Sequence, residues 1–463
     1  MANEKSTVIL GGGIIGLSIA YYTSLSSPIT HITIVDSASI LLESASGYAG
    51  GFLARDWFDP RVAALGDYSF TLHRELAEQF DGAKRWGFTG SHVYSLTLDD
   101  APGGVSGEDW LLAGTSRANA VGRMVTQHVN APGEGVNADG TPAWISKQDK
   151  ASWKPIAGVE DCGQVEPRRL CEFLLEKCKE RGIKILLGKR AVDIVRKRGG
   201  GIEGLMIENA GKSEGSKEEQ FLKCTDIVIA AGCWTPRVFN TLFPSARISL
   251  DIDSLAGHSI LYRTPRYAQP FKNIAKGQLD KAHGKDEHIS YAIYCPPTKQ
   301  WDWSGEAYAR LNADSKPEIW SGGLNHTSTQ LPLPELATDS KKLIKPECMK
   351  SLRKAAVTLT GLRVSDSSEP ATDDIEIVSE HLCFRPASKS GVPILGEVAA
   401  RDLGKGFGEG GGAKVWVAGG HGPWGISMSL GTGKVMRDLM AGTKPEVDVS
   451  ALKVVEGAPL SKL

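Results

Sequence analysis

A chain of 463 residues that is 41% hydrophobic and 23% charged has globular composition, which excludes disorder as its main state. Lys and Arg number 53 against 54 Asp and Glu, a net charge of -1, which argues against a broad electrostatic footprint for nucleic acid or a membrane surface. The length predicts two or three domain-sized units, and 53 glycines point to close backbone approaches or many tight turns.

Residues 6–10 (STVIL) read as a buried strand, 14–25 as a helix and 31–36 (HITIVD) as a second buried strand. Together they make a β-α-β unit of about thirty residues. The apolar run 8–22 is too short to span a bilayer, is broken by glycines and lacks the flanks of a signal peptide. Leu65, Phe70, Leu72, Leu76 and Phe80 fall at helical spacing over 66–80. Segments 99–108 and 130–142, rich in Gly, Pro, Asp and Asn, are expected as loops or an insertion. A helix over 167–181 opens on Pro167 and stops at Gly182. Strands follow at 183–187, 191–197 and 202–208, then an exposed hairpin tip over 211–220 and an apolar strand over 226–231. From 250 to 365, short strand-like runs alternate with Pro and Gly breaks, which predicts an antiparallel sheet with one or two helices, one of them at 346–360. A strand at 415–418 and a helix at 425–441 close the globular part. The eight cysteines form no Cys-x-x-Cys pair and the histidines no His-x-x-x-His pair, so neither a disulfide framework nor a metal site is expected.

Gly11-Gly12-Gly13-Ile14-Ile15-Gly16 satisfies G-x-G-x-x-G. It follows a strand, opens a helix, and is answered by a returning strand that ends in Asp36, about twenty residues after Gly16. Gly11 permits the tight turn, Gly13 lets backbone approach a pyrophosphate on the helix N-terminal amides, and Gly16 lets helix and strand pack closely. Asp36 is placed to accept hydrogen bonds from ribose hydroxyls. A ligand-free glycine-rich turn would carry the same letters, but the context favours a dinucleotide. The fingerprint does not separate NAD from FAD. Gly431-Thr432-Gly433-Lys434 fails as a phosphate-binding P-loop, because Met428 and Val435 stand where Gly and Ser or Thr are needed.

Four further blocks decide between the dinucleotides. They are Ser44-Ala45-Ser46-Gly47-Tyr48-Ala49-Gly50-Gly51-Phe52-Leu53, Ile227 to Thr235, Phe384-Arg385-Pro386 followed by Pro393 to Gly396, and Ala418 to Ile426. In this order the set resembles the FAD-dependent amine and amino-acid oxidoreductases, the D-amino acid oxidase, glycine oxidase and sarcosine oxidase group, most of all a fungal branch. The resemblance covers nearly the whole chain, with the middle loosely matched. It implies an α/β fold: a Rossmann-like FAD-binding domain, discontinuous in sequence (1–95, 160–250 and 366–450), and an antiparallel-sheet substrate domain (96–159 and 251–365), then a tail from 451 to 463. By the same likeness Gly11, Gly13, Ile14, Ile15, Gly16, Asp36 and Ser37 hold the ADP half. Ser46, Gly47, Gly50, Gly51, Phe52 and Leu53 line the pyrophosphate and flavin edge, and Val192 meets the adenine through its backbone. Ala231, Gly232 and Trp234 lie over the pyrophosphate, while Gly420, Gly422, Trp424, Gly425 and Ile426 wrap the far end of the flavin.

The resemblance also implies a reaction: oxidation of a small amine or amino acid to an imine, with molecular oxygen giving hydrogen peroxide. Arg385 is the best candidate to hold a substrate carboxylate, because its planar fork suits a bidentate partner. A structural arginine paired with an acid is the alternative. Tyr308 and Arg310 fall where the substrate sheet should face the flavin, and Trp424 either gates the pocket or packs. Cys383 occupies the place of a flavin-linking cysteine in sarcosine oxidase-like sequences, although a non-covalent FAD and a merely buried thiol are expected. No lysine for oxygen activation is evident. A flavin dehydrogenase with another acceptor, and a flavin-binding protein without turnover, remain open. Finally, Ser461-Lys462-Leu463 is the tripeptide read by the peroxisomal import receptor, so that receptor is an expected partner and the peroxisome the expected compartment.

Overall fold

Every residue of Thr7–Leu10 is buried in the first strand, β1 (Ser6–Leu10), as a strand covered on both faces requires. The computed structural model describes residues 5–26, 31–97, 141–146, 151–211, 219–268, 288–362, 371–407 and 412–454. The expected loop at 99–108, nearly all of 130–142, most of the 211–220 tip and the terminal tripeptide lie outside the described residues. After β1 come α1 (Ile14–Ser24) and β2 (His31–Asp36), which pairs parallel to β1 with Val8 opposite Thr33. Next are a short helix α2 (Ala45–Tyr48), β3 (Phe52–Ala54), α3 (Ala63–Phe80), α4 (Gly82–Trp86) and β4 (Thr89–Thr97). Then β5 (Ser152–Ala157) and β6 (Cys162–Gln164) lead into α5 (Pro167–Glu180). The carboxylate of Glu166 caps α5 by accepting from the amides of Arg168 and Arg169, with Pro167 in the first helical position.

The chain continues through β7 (Lys184–Leu187), β8 (Lys189–Arg196), β9 (Ile202–Asn209), β10 (Gln220–Lys223), β11 (Asp226–Ile229) and α6 (Thr235–Leu242). After these come β12 (Ile252–Arg263), β13 (Ser290–Cys295), β14 (Gly305–Leu311), β15 (Pro317–His326) and α7 (Pro346–Thr360). Last are β16 (Glu376–Ser388), β17 (Ile394–Val398), β18 (Lys414–Gly419) and α8 (Gly425–Ala441).

One sheet runs β17-β18-β11-β1-β2-β7 and is parallel except for β17. Helices α1, α3, α5 and α8 bury their apolar faces in a core on one side of it. On the other side, α6 and the small sheet β10-β9-β8 share a second core. The glycines of the false P-loop have a packing role. A Cβ on Gly433 would lie 2.6 Å from the backbone of Ser18 in α1, and one on Gly431 would lie 2.9 Å from Ser69 in α3. Only glycine lets α8 come this close to both helices.

The second large sheet has nine strands, in the order β16-β12-β15-β14-β13-β4-β6-β3 with β5 added on β4. It is mostly antiparallel, with one parallel pair, β4 and β13. Helix α7 packs over β12 and β15. Two expectations need adjusting. Residue 96 falls inside β4, so the first stretch of nucleotide domain, expected to run to 95, ends within a strand of this sheet. Likewise β16, which carries Arg385, pairs along β12 rather than with the parallel sheet. The first half of β16 alternates exposed and half-exposed residues such as Glu376, Glu380 and His381, which weakened its strand signal in the sequence. No helix among the described residues is long and apolar enough to cross a membrane.

Candidate active site

One cavity has Asp36 and Arg385 in the same wall. Its first end is built by the β1–α1 turn. Gly11 has φ +116°, and a Cβ there would lie 2.4 Å from the Ala230 carbonyl oxygen, so no other residue fits. The helix is capped at Gly13 by no side chain and has no acid in its first turn. Its first internal bond runs from Leu17 N–H to the Gly13 carbonyl, which leaves the preceding amides without intrahelical acceptors. Ile14 N–H donates to Ser46 Oγ at 2.9 Å. Such a helix end attracts an anion. Gly16 is a packing residue: a Cβ would lie 2.0 Å from the Gly11 carbonyl, and the residue is not part of the wall.

The Asp36 carboxylate is fixed by two amides, Gly12 N–H and Ala38 N–H, each at 2.8 Å. Burial raises its pKa even against those bonds. Ser37, Ile40, Lys189, Arg190 and Ala191 complete this end. Val192, expected at the adenine, is not a wall residue, whereas Ala191 is. Ala191 and Asp193 pair with consecutive residues of β9, so Val192 is the extra residue of a β-bulge and Ala191 takes the wall position.

Ser46, Gly50, Gly51 and Phe52 line the same cavity, as do Ala231, Gly232 and Trp234. A Cβ on Gly50 would lie 2.5 Å from the Tyr308 ring, and one on Gly51 (φ +86°) would lie 2.0 Å from the Val165 carbonyl. Gly47 and Leu53 are not wall residues. Gly47 is pressed against the Leu42 carbonyl, and Leu53 lies wholly in the core. Beyond them, Gly422, Trp424, Gly425 and Ile426 bring the N-terminus of α8 to the cavity, again with no side-chain cap and no acid in the first turn. Gly420 (φ +77°) serves the turn instead, packed on Ser388. Trp424 meets Phe58 edge-on at 4.9 Å, so its ring packs as well as lining the wall.

The far end is made by β12, β14, β15 and β16. Tyr308 stacks between Trp320 (5.2 Å, 5°) and Phe52 (5.6 Å, 20°). Its hydroxyl donates to Glu306 Oε2 at 2.6 Å and lies 3.2 Å from Tyr294 Oη. Arg385 Nη2 donates to Asn325 Oδ1, while Arg385 Nε is buried without a hydrogen-bond partner. No acid pairs with Arg385 among the described residues, so its cationic fork keeps donors for a ligand. Arg310 points elsewhere: it is buried 3.6 Å from Glu166, outside the wall. Cys383 lines the cavity, but burial pushes its thiol pKa up, away from the reactive thiolate.

Sequence reasoning missed Glu306, Trp320, Asn325, Gly257 and His258 in this wall. Glu306 shares a strand face with Tyr308 by the period of two, which was the available signal. The others depend on cross-strand register. The donor set fits an FAD: two helix N-termini whose cap residues supply no side-chain bond line a common cavity, and an amide-fixed carboxylate lines it as well.

A family model described as FAD dependent oxidoreductase matches residues 6–439. A Schizosaccharomyces pombe protein, named only as an oxidoreductase, is 25% identical over 97% of this chain and 98% of its own. Glycine oxidase from Geobacillus kaustophilus superposes with a TM-score of 0.61 at 16% identity, covering 98% of each chain. L-proline dehydrogenase from P. horikoshii does so with a TM-score of 0.61 at 15% identity, covering 98% of this chain and 97% of that one.

Proposed function

We propose, from the premise that this chain belongs to the family of FAD dependent oxidoreductases, that it oxidises the C–N bond of a small amine or amino acid. The amine gives up two electrons and two protons to become an imine, and molecular oxygen takes them to become hydrogen peroxide. The observation that carries the proposal is the placement of Arg385, with donors to spare, in the same cavity wall as the two helix N-termini and Asp36.

FAD, when bound, supplies the two-electron acceptor. Each residue of the wall then has a task. Asp36 accepts from the ribose, and the α1 amides receive the pyrophosphate. The N-terminus of α8 offers amides and a positive dipole end to negative charge at the opposite end of the cofactor. Arg385, steadied by Asn325, holds a carboxylate and so orients the substrate carbon. The stacked rings of Phe52, Tyr308 and Trp320 form an apolar wall that excludes water. FAD is taken to be held without a covalent bond, since burial raises the Cys383 thiol pKa and disfavours the thiolate. The compartment belongs to the same proposal: Ser461-Lys462-Leu463 is a peroxisomal address, and catalase there would remove the peroxide.

The experiment is a panel of amines and amino acids added to the purified yellow protein without oxygen, followed by air. Bleaching by one substrate class, then about one peroxide per turnover, is the expected result. Bleaching that only an artificial acceptor reverses would make the protein a dehydrogenase. Failure of every compound to bleach it would leave a flavin-binding protein without turnover.

A further inference from the structure

We propose that His258, His326 and Cys348 form a binding site for a divalent transition-metal ion of the zinc class, beside the substrate end of the cavity. The three residues are 68 and 22 positions apart in sequence, so no short spacing announces them. The fold brings them together. On the paired strands β12 and β15, Ala256 lies opposite His326 and His258 opposite Leu324. The two histidines are therefore diagonal neighbours on one sheet face. Helix α7 packs over these strands, and its first turn carries Cys348. One nitrogen or sulfur atom from each residue lies within 4.8 Å of the other two.

The separation of Cys348 and His326 suits a metal. Cys348 Sγ is 3.5 Å from His326 Nε2. Two ligands on a tetrahedral zinc, with bonds of about 2.3 Å to sulfur and about 2.0 Å to nitrogen, stand about 3.5 Å apart. The rings of His258 and His326 meet edge to face, with centroids 5.1 Å apart. His258 is 1% exposed, and only one of its nitrogens is engaged: Nε2 accepts Lys345 N–H at 3.2 Å, while Nδ1 is buried with no partner. Here the Nε2 lone pair points at the turn that carries Cys348, and a metal would take it in place of that long hydrogen bond.

Two imidazoles and a thiolate, with no carboxylate among them, select zinc-like ions over calcium or magnesium. Three protein ligands leave one position for water, and half-exposed His326 gives a path from solvent. On binding, the Cys348 thiol releases its proton to solvent and its sulfur forms the metal bond. The ion would tie the start of α7 to β12 and β15, next to Gly257, over which Arg385 reaches Asn325. Its role would be to position that strand, outside the path of electrons.

The test uses the flavin-loaded protein, stripped with a chelator and titrated with Co²⁺. One equivalent should bind and give ligand-field bands to the red of the flavin, and Zn²⁺ should displace it. Zn²⁺ should also raise the melting temperature. Cys348→Ser and His326→Ala should each lose the bands and the zinc-dependent shift while keeping the flavin content of the parent. Two results would overturn the assignment: no stoichiometric Co²⁺ or Zn²⁺ in the parent protein, or unchanged binding in both variants. His326→Ala, at a half-exposed position, serves as the readable variant where Cys348→Ser fails to fold.

Discussion

Arg385 on β16 reaches across β12 to hydrogen-bond Asn325 on β15, and it passes over Gly257 to do so. A Cβ on Gly257 would lie 2.7 Å from Arg385 Nη2 and 3.1 Å from Asn325 Oδ1. The guanidinium is thus placed by a side chain on one neighbouring strand and by a missing side chain on the other.

Arg385→Ala should raise KM for a carboxylate-bearing substrate by the worth of a charged hydrogen bond, about 1.5–3 kcal/mol or roughly 10- to 150-fold. Gly257→Ala should do the same to a smaller extent by displacing the fork. Flavin content should not change in either variant. Steady-state kinetics with a carboxylate substrate and its decarboxylated analogue check this, because only the former should be affected. An unaltered KM in Arg385→Ala removes the residue from substrate binding.

Gly11→Ala should give protein that is colourless or nearly so. The substitution forces a Cβ into the Ala230 carbonyl at φ +116°, with strain of about 1–3 kcal/mol, and displaces the turn under the pyrophosphate. The flavin-to-protein absorbance ratio and the melting temperature measure both effects.

Acid precipitation should leave the yellow colour in the supernatant, and Cys383→Ala should leave the flavin content as it was. The Cys383 thiol is buried and its pKa raised, so it lacks the thiolate that a covalent link needs. A yellow pellet that turns white in Cys383→Ala would reverse this.

Stability should fall as the pH drops from about 6.5 toward 4. His73 and His421 are fully buried, and burial lowers their pKa values to about 4 and about 3 from the ordinary 6.5. Both rings are neutral in the folded chain, so unfolding takes up a proton at each throughout that window. Their stabilising contribution is complete above pH 6.5 and diminishes below it, by about 1.4 kcal/mol per pH unit for each proton. Denaturant melts across this range should show it, and His421→Asn should reduce the proton uptake by about one.

A fluorescent protein fused before residue 1 should collect in punctate organelles with a peroxisomal marker. Removal of Ser461-Lys462-Leu463 should disperse it. Co-imaging in fungal cells checks this, and an unchanged distribution would rule out the tripeptide as the address.

The nucleotide half was legible because its signals are local. The strand, the glycine turn, the helix and the acid of the first crossover all lie within about thirty residues, and each letter answers to backbone geometry. Helices α7 and α8 were equally readable from their apolar spacing and their Pro and Gly boundaries. The substrate end was not. Asn325 becomes a wall residue only through the register of its strand, which no local pattern fixes, whereas Glu306 could have been found from the alternation it shares with Tyr308. Val192 shows the limit from the other direction. The strand was read, but a bulge puts Ala191 rather than Val192 in the wall, and a one-residue shift changes which residue faces the cavity.

The close packing of α8 on α1 through Gly433 has a consequence for the cavity that the two helices share. Both helices bring their N-termini to the same cavity, while Gly433 itself lies outside its wall. The separation of the two dipole ends is therefore set by a contact that no ligand touches. A side chain at position 433 would act as a wedge, spreading two anion-binding ends from a distance.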